Sequence, residues 1–360
     1  MKTIRDVTDL KDKKVLLRVD FNVPVGEKNQ IKESSKITKQ KETLDWLLGH
    51  GARIVLVSHI TSLPSFGDLV PQLHILLGYE LNFIKSVADI GPYLNHYSGP
   101  ALLDNLRQNE GEEKNDQEFC KKLAAGFDLY INNAFGECHR DYASVSGITK
   151  FLPSFAGFLI EEETAQLRKG IEASSKGKVI IMGGAKASSK VPVIKNIIDK
   201  SEKILVGGVV ANDILKAKGI DVGESIVDDN LAEVLNGLDL DNPRLVIPED
   251  YNISEGKILD IGDKTIESYK RIISEASMII WNGPMGLFER SGFDKGTNEI
   301  AKAVSESGAY KIIGGGDTVA AIDKINLSSS FDFISTGGGA MLEFLAGNEL
   351  PGLKVLGYYK

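Results

Sequence analysis

Two stretches late in the sequence combine residue types that bind phosphate. Each is a short apolar run that breaks into three glycines and then enters a helix-like segment. The two triplets are Gly314, Gly315, Gly316 and Gly337, Gly338, Gly339. Glycine lets the backbone approach a ligand closely, and the free N–H groups at a helix start attract anions. Asp317 follows the first triplet, and the Mg²⁺ that accompanies nucleotide phosphates prefers carboxylate oxygen. The stretches indicate nucleotide binding, although strand-to-helix turns also contain glycine for structural reasons.

Lysines and further glycines follow two other predicted strands. The glycine pairs are Gly183, Gly184 and Gly207, Gly208. Lys186 and Lys190 come just after the first pair, and a four-residue gap places two side chains on one face of a helix. Backbone amides of a glycine loop and nearby ammonium groups both bind phosphate oxygens. The two lysines therefore indicate phosphate contacts, with a solvated helix start as the alternative.

Polar and cationic residues follow the predicted strands of the first 150 residues. They are Asp20, Asn22, His59, Arg107, His139 and Arg140. The carboxyl ends of parallel strands share one sheet edge, where α/β proteins bind their ligands. Cations gathered at one edge indicate an anionic substrate. Spacing alone leaves alternatives open, because Asp20 and Asn22 are also common turn residues and a lone histidine is often structural.

Length and composition exclude several classes of protein. At roughly 150 residues per domain, a chain of 360 residues is expected to hold about two domains. The net charge of −8, without a dense Lys/Arg run, argues against nucleic-acid binding, and no apolar run reaches the roughly 18 residues that cross a membrane. The N-terminus lacks the apolar segment of a signal peptide, and Cys120 and Cys138 have no metal-binding spacing. We therefore expect a cytoplasmic globular protein without membrane or nucleic-acid partners.

The candidate sites require strands that alternate with helices. Strands are predicted near residues 15–19, 54–57, 128–131, 179–182, 204–206, 278–281 and 311–313, and helices at 34–49, 116–126 and 156–173. This alternation predicts an α/β fold of two Rossmann-like domains, each a parallel sheet with helices on both faces. The sequence contains no P-loop, protein-kinase signature, nucleophile elbow or His/Cys metal cluster. The pattern favours a two-lobed phosphoryl-transfer enzyme whose domain closure expels water.

Several longer stretches carry a family resemblance. They are Arg18-Val-Asp-Phe-Asn-Val-Pro24, Ser58-His59, Asp104-Asn-Leu-Arg107, Asn133-Ala-Phe-Gly136 with His139-Arg140, Leu152-Pro-Ser-Phe-Ala-Gly-Phe158, Gly183-Gly-Ala-Lys186, Trp281-Asn-Gly-Pro-Met-Gly-Leu-Phe-Glu289, Gly314-Gly-Gly-Asp-Thr318 and Ser335-Thr-Gly-Gly-Gly-Ala340. In this order the stretches are highly specific, and the chain resembles phosphoglycerate kinase over essentially its full length.

The resemblance implies a monomeric two-domain hinge enzyme that uses Mg²⁺. It would move a phosphoryl group directly from 1,3-bisphosphoglycerate to ADP, giving 3-phosphoglycerate and ATP, in a reversible reaction. Residues 1–155 would form the 3-phosphoglycerate domain, 156–173 the connecting helix and 174–345 the nucleotide domain. Residues 346–360 would form a tail that returns to the first domain.

The resemblance also assigns site residues by position. For the substrate side it implies Asp20, Asn22, Lys36, His59, Arg107 and Arg140. For the nucleotide side it implies Gly183, Gly184, Lys186, Lys190, Gly207, Gly208, Asn282, Glu289, Gly314, Gly315, Gly316, Asp317 and Thr318. Within the second set, Glu289 would contact the ribose, Asp317 would bind the metal, and Thr318 would lie beside the phosphates.

The implied reaction needs no general base, because its nucleophile is already an anion, either a carboxylate or an ADP oxygen. Catalysis then consists of positioning the reactants and neutralising the charge of the transferring group. Lys190, Lys36 and the backbone N–H groups of Gly338 and Gly339 are the predicted catalytic groups.

The chain departs from the family pattern at three informative positions. Lys36 and Ser62 stand where the family has arginines, and Ser189 stands where it has an acid. Lysine lacks the planar fork that grips a carboxylate or phosphate, and serine lacks the charge altogether. A charge-assisted hydrogen bond is worth roughly 1.5–3 kcal/mol, or about ten- to a hundredfold in affinity. Two alternatives to phosphoglycerate kinase therefore stay open: a paralogue that acts on another carboxylate or acyl phosphate, and a catalytically silent ATP-binding protein.

Overall fold

Short apolar runs in the first half of the chain pair into a six-stranded parallel sheet, seen in a computed structural model that describes residues 1–359. Its strands are β1 Lys14–Arg18, β2 Arg53–Val57, β3 Asn82–Ile84, β4 Ala101–Leu103, β5 Leu129–Asn132 and β6 Ser154–Ala156, in the order β3-β4-β2-β1-β5-β6. The central strands are apolar along most of their length because helices cover both faces of the sheet. Val15 and Leu17 of β1 pack into one core, and Leu16 packs into the other.

The helices of this part of the chain are α1 Ser35–Thr38, α2 Lys41–Gly49, α3 Val70–Leu77, α4 Ile90–His96, α5 Glu110–Glu113, α6 Gln117–Ala124 and α7 Phe158–Glu172. The prediction of one continuous helix over residues 34–49 is wrong, because α1 and α2 are separate. Gln40 lies at the break and is fully buried. Its side chain donates to the carbonyl of Lys36 at 3.1 Å and accepts from the Asn133 amide at 2.8 Å. Gln40 at the break is therefore bonded to Asn133, which directly follows β5.

The second half of the chain forms another six-stranded parallel sheet and a two-stranded antiparallel hairpin. The strands are β7 Lys178–Met182, β8 Lys203–Val206, β9 Leu245–Val246, β10 Tyr251–Ser254, β11 Lys257–Ile261, β12 Met278–Asn282, β13 Tyr310–Gly314 and β14 Phe333–Ser335. The sheet order is β14-β13-β12-β7-β8-β9, and β10 pairs with β11. The predicted α/β class with two parallel sheets is confirmed, whereas the hairpin was not predicted.

Helices in the second half alternate with these strands. They are α8 Val191–Ile197, α9 Gly208–Ala217, α10 Leu231–Leu235, α11 Asp263–Ser274, α12 Lys295–Glu306, α13 Gly316–Lys324, α14 Gly339–Leu345 and α15 Pro351–Val355. Short 3-10 helices of the whole chain cover Ile4–Asp6, Glu27–Asn29, Gly67–Leu69, Val87–Asp89, Leu106–Gln108, Phe135–Glu137, Gly147–Lys150, Ala187–Ser189, Ile198–Lys200 and Ser328–Ser330.

The chain divides into two compact units, with the division inside α7, between Thr164 and Ala165. The segment from Glu349 onward belongs to the first unit together with residues 1–164. Within that unit, the Gly352 amide donates to the carbonyl of Cys138 at 2.9 Å. The predicted tail ends at Lys360, which lies outside the described residues. Within residues 1–359, no helix is both long and apolar enough to cross a membrane.

Candidate functional site

Three loops meet at the carboxyl edge of the first sheet, and hydrogen bonds join them. Ser58, directly after β2, accepts the Phe21 amide on its hydroxyl oxygen at 3.0 Å and the Leu106 amide on its carbonyl at 3.0 Å. Asn22 accepts both the amide and the hydroxyl of Thr61 at 3.0 Å. The loops that follow β1, β2 and β4 are therefore held side by side, and the polar residues they carry share one edge.

A fully buried arginine, Arg18, bonds to side chains from other segments of this edge. Arg18 ends β1, and its guanidinium donates to the hydroxyl of Ser144 at 3.0 Å and to Nδ1 of His59 at 3.0 Å. The Ser144 hydroxyl in turn donates to the buried carboxylate of Glu112 at 2.5 Å. A charged network therefore runs from Glu112 through Ser144 and Arg18 to His59.

This network fixes the protonation of His59. An arginine side chain can only donate, so Nδ1 of His59 must accept, and the ring proton must lie on Nε2. Burial of the ring, together with the charges of Arg18, Arg107, Lys36 and Arg140, lowers the pKa of His59 to about 2. His59 is therefore neutral at physiological pH and offers an Nε2–H donor to a ligand oxygen. Arg18 contacts the ring directly, and the other three cations act on it through their charge.

His59 is expected to stay neutral across the whole physiological range. Because its pKa is lowered to about 2, its folded form takes up no proton between pH 5 and pH 8, whereas the unfolded chain does so near 6.5. We expect the ring resonances of His59 in a histidine NMR titration to hold constant positions from pH 5 to pH 8. A His59→Gln variant identifies the resonance by its disappearance, and a midpoint between pH 5.5 and 7.5 would contradict the tautomer assignment.

Acidic side chains accompany the cations at this edge. Lys36 pairs with the buried carboxylate of Asp20 at 3.3 Å. Burial lowers the pKa of Lys36, but the Asp20 carboxylate outweighs it and the net shift is upward. Glu137, mostly buried, lies 3.9 Å from Nε2 of His59. Burial and the neighbouring Asp20 charge raise the pKa of Glu137. Two carboxyl groups therefore lie among the cations of this edge.

Two predicted arginines lie at the outer part of the same edge. Arg107 pairs with Glu113, and its guanidinium stacks 5.0 Å from the ring centre of Tyr142. Arg140 is exposed to solvent. Ser62, at a position where an arginine was expected, is also exposed and donates to the carbonyl of Val23 at 3.3 Å. The first unit thus gathers the predicted substrate residues at one edge, with Lys36 and Arg107 already paired to carboxylates.

Glycine loops of the second unit pack backbone against backbone at the carboxyl edge of its sheet. The amides of Gly183 and Gly184 donate to the carbonyls of Asn282 and Pro284 at 3.0 and 2.8 Å. Gly283 has a φ of +97°, and a Cβ there would lie 2.1 Å from the carbonyl oxygen of Gly183. A side chain is therefore excluded by both conformation and space. The loops after β7 and β12 can approach this closely only because both carry glycine.

Two predicted nucleotide residues hold these loops together. The side-chain amide of Asn282 donates to the carbonyl of Gly314 at 3.0 Å. The buried hydroxyl of Thr318 accepts the amide of Gly283 at 2.7 Å. The polar side-chain groups of both residues therefore bond to the backbone of neighbouring loops. They align the glycine loops after β12 and β13 with one another.

The predicted lysines and Asp317 form a charged group beside a cavity. The cavity, about 190 Å³ in volume, is lined by Gly184, Ala185, Gly208, Val209, Ala211, Asn212, Leu215, Ile226, Pro248, Tyr251, Lys257, Ile258, Leu259, Asp260, Ile261, Pro284, Met285, Gly286, Leu287, Glu289 and Asp317. Burial lowers the pKa of Lys190, as does the neighbouring Lys186, while the charges of Asp317 and Asp228 oppose that shift. Asp317 and Glu289 are both exposed. The cavity is largely apolar, and the charged side chains that line it are Lys257, Asp260, Glu289 and Asp317.

The second glycine triplet opens α14. The amide of Gly337 donates to the hydroxyl of Ser335 at 3.0 Å. Gly338 has a φ of +42° and is half-buried, and Gly339, the first residue of α14, is exposed. The amides of Gly338 and Gly339 are therefore better placed to meet an anion than that of Gly337.

The donors of the second unit suit a magnesium ion bound together with nucleotide phosphates. Asp317 lines the cavity in the first turn of α13. Among residues 1–359, no cluster of three or more His, Cys, Asp or Glu side chains forms a complete metal cage. Mg²⁺ commonly takes one or two carboxylates and completes its shell with phosphate oxygens and water. A single exposed carboxylate beside glycine loops and lysines is compatible with that mode of binding.

Four residues of these sites were not singled out from the sequence: Arg18, Glu137, Asp213 and Asp228. Arg18 left a signal, because a charged residue ends an otherwise apolar strand, and buried charges are retained only with partners. Glu137 ends the short 3-10 helix Phe135–Glu137, and nothing in its local sequence indicates that it approaches His59. Asp213 lies on α9 and Asp228 lies in the loop that follows it. Nothing in the linear sequence indicates that the Asp228 amide donates to the Asp213 carboxylate.

Comparison with known proteins was consistent across sequence and structure. The family model described as phosphoglycerate kinase matches residues 4–348. The chain is 40% identical to the phosphoglycerate kinase of Rubrobacter xylanophilus, covering 99% of this chain and 98% of that protein. It is 40% identical to the phosphoglycerate kinase of Thermosipho africanus, covering 98% and 96%. Solved phosphoglycerate kinase structures from Coxiella burnetii and Pyrococcus horikoshii are each 30% identical, with TM-scores of 0.83 and 0.87 and coverage of 98% or more of each chain.

Proposed function

The chain belongs to the phosphoglycerate kinase family and is a phosphotransferase of glycolysis, and from this premise we propose which residues hold each substrate and neutralise the transferring group. The reaction moves a phosphoryl group between 1,3-bisphosphoglycerate and ADP and gives 3-phosphoglycerate and ATP. The alternatives of a paralogue with another acid substrate and of a silent scaffold are not favoured, because relatives of the same name match almost the whole chain.

The first unit would bind 3-phosphoglycerate at the edge defined by Asp20, Asn22, Lys36, His59, Arg107 and Arg140. The observation that carries this proposal is geometric: Arg18 contacts Nδ1 of His59 at 3.0 Å, which leaves Nε2–H of that ring as a donor, and Lys36 pairs with Asp20 at 3.3 Å at the same edge. Substrate phosphate and carboxylate oxygens would replace Glu113 on Arg107 and would accept from Nε2 of His59. Arginine supplies paired donors for such oxygens.

The second unit would bind the nucleotide in the cavity described above. Glu289 would accept from ribose hydroxyls, and the glycine loops would admit phosphates close to the backbone. Lys186 and Lys190 would contact phosphate oxygens, with the Thr318 amide at the first turn of α13 nearby. Asp317 would hold Mg²⁺, which would supply positive charge that offsets the negative charge of the phosphates.

Catalysis would rest on charge neutralisation. The attacking carboxylate or ADP oxygen already carries its negative charge, so no side chain needs to remove a proton. The transferring group carries charge on three oxygens, and fixed donors stabilise that charge better than water does. Lys190 from the second unit, Lys36 from the first and the amides of Gly338 and Gly339 are the proposed donors. We further propose a monomeric, cytoplasmic enzyme whose partners are small molecules.

The reverse reaction tests this proposal directly. 3-Phosphoglycerate and Mg-ATP are supplied, and product is followed with a coupled dehydrogenase that consumes NADH. Turnover with an elevated KM for 3-phosphoglycerate is the expected result, because Lys36 and Ser62 replace arginines. No turnover, with Mg-ATP binding intact, would contradict 3-phosphoglycerate as the substrate. Only the proposed nucleotide binding would then stay supported.

A Ser62→Arg variant is expected to lower the KM for 3-phosphoglycerate by about tenfold, because it adds one charge-assisted hydrogen bond at the substrate edge. Ser62 is exposed, so the longer side chain enters solvent without displacing the core. Ile75→Arg, at an exposed position on α3, is the control for added charge alone. Equal gains in both variants would indicate general electrostatic attraction, and no gain in Ser62→Arg would count against this position as a substrate contact.

A further inference from the structure

The loop over residues 222–229 connects the cavity with the lysine pair of the second unit. It follows α9 and is fixed at three points. The Ile258 amide of β11 donates to the Ser225 hydroxyl at 2.8 Å, and the Asn212 side chain donates to the Ile226 carbonyl at 3.2 Å. The Asp228 amide donates to the Asp213 carboxylate at 2.9 Å. The loop is therefore bound to α9 and to the hairpin.

Asp228 extends this attachment to the lysine segment. Its carboxylate accepts the amide of Ser188 at 2.8 Å. Ser188 is the middle residue of the 3-10 turn Ala187–Ser189, which separates Lys186 from Lys190. Within that turn the Lys190 amide donates to the Ala187 carbonyl at 2.8 Å. Lys190 therefore directly follows a turn that is bonded to the Asp228 carboxylate.

Asp213 holds Asp228 from inside the protein. Its side chain is fully buried on α9, and its Oδ2 has no hydrogen-bond partner among the described residues. Burial raises the pKa of Asp213 to about 6, while the Asp228 amide opposes that shift. The charged groups that face it are Asp228 from the loop and Lys216 from its own helix. A carboxylate kept in so unfavourable a place indicates a role other than stability.

We propose that Asp228, held by Asp213, is a positioning residue that sets Lys190 against the phosphate that is transferred. The inference rests on the proposed phosphate contacts of Lys186 and Lys190. The family pattern has an acid at the position of Ser189, and in this chain a carboxylate reaches the same turn from a different loop. Ile226, two residues before Asp228, lines the cavity. The loop that bonds to the lysine turn therefore also borders the proposed nucleotide cavity.

The test compares Asp228→Ala with Asp228→Asn in the reverse reaction. Asp228→Ala removes the acceptor for the Ser188 amide and is expected to lower kcat about tenfold, because small displacements of a catalytic group have large effects on rate. The KM for Mg-ATP is expected to rise about threefold, and that for 3-phosphoglycerate to stay within about twofold. Asp228→Asn keeps an acceptor and is expected to restore kcat to within about threefold of the parent.

Asp229→Ala is the matched control, because Asp229 carries the same charge on the next residue and is exposed. It is expected to leave all constants unchanged. Asp213→Ala is expected to lower kcat in the same direction as Asp228→Ala. Asp228→Ala within twofold of the parent in kcat, or equal effects of Asp228→Ala and Asp228→Asn, would overturn the proposal.

A double variant separates positioning from a general structural effect. If Asp228 acts through Lys190, adding Asp228→Ala to Lys190→Ala changes kcat no further, whereas independent effects would multiply and overturn the proposal. Lys190→Ala alone distinguishes the two levels of the argument. Full activity in Lys190→Ala would refute the proposed phosphate contact itself. Loss of activity in Lys190→Ala with a silent Asp228→Ala would refute only the positioning role.

Discussion

Replacing Lys190 by alanine is expected to lower kcat by about 10²–10³-fold and to leave the KM for Mg-ATP within about threefold of the parent. The reason is the difference in charge between the bound and the transferring phosphoryl group. Lys190 is half-buried, and burial lowers its pKa, so water screens its charge less than that of a surface lysine. An interaction that strengthens only in the transition state appears in kcat. Initial rates with both substrates varied provide the measurement.

Lys186→Ala is the matched control for this prediction. Lys186 stands four residues earlier and is exposed. Its removal is expected to raise the KM for Mg-ATP by about tenfold and to change kcat by less than about threefold, as for a contact made equally in both states. The reverse pattern, with kcat lost in Lys186→Ala and kept in Lys190→Ala, would exchange the two roles. Near-normal kcat in Lys190→Ala would remove Lys190 from the proposed catalytic set.

Much of the fold could be predicted because the signals are local. Apolar runs such as residues 179–182 end in glycine, and each forms a parallel strand whose carboxyl end carries a loop of the site. The hairpin β10–β11 was missed because Tyr251–Ser254 and Lys257–Ile261 are partly polar and half-exposed, so neither shows the apolar run of a buried strand. The break between α1 and α2 was missed because Gln40 bonds to Asn133, a residue far away in sequence.

The sequence predicts which sheet edges carry the candidate site residues, but not how those residues pair with one another. His59, Lys36 and Arg107 lie at the predicted edge, yet no pattern in the sequence indicates that Arg18 fixes the His59 tautomer or that Glu113 pairs with Arg107. The pairings of Arg18 with His59 and with Ser144 join residues 41 and 126 positions apart in the chain. Strand order decides them, and strand order follows from the packing of the whole sheet rather than from any local pattern.

Arg18→Met is expected to lower the free energy of unfolding by about 3–5 kcal/mol at pH 8, because it leaves the buried Glu112 carboxylate without its cation. Burial already raises the pKa of Glu112, and the charge of Arg18 opposes that shift. Without Arg18 the pKa rises further, so the folded state holds the proton more tightly than the unfolded state. Stability is therefore lost as pH rises from the unfolded value near 4.5 towards the folded pKa. Denaturant unfolding at pH 5.5 and pH 8 measures the difference, which should be smaller at pH 5.5.

Activity should respond to Arg18→Met separately from stability, because Arg18 is also the donor to Nδ1 of His59 and the leading charge that lowers the pKa of that ring. Adding Glu112→Gln to Arg18→Met removes the unpaired buried charge, so stability at pH 8 should recover in part. Arg18→Met is expected to raise the KM for 3-phosphoglycerate because the contact with His59 is lost, and this contact is still absent in the double variant, so its KM should stay raised. Recovery of both properties together would mean that the KM change reflects unfolding alone. Recovery of stability without recovery of KM would place Arg18 in the substrate site through its hold on His59.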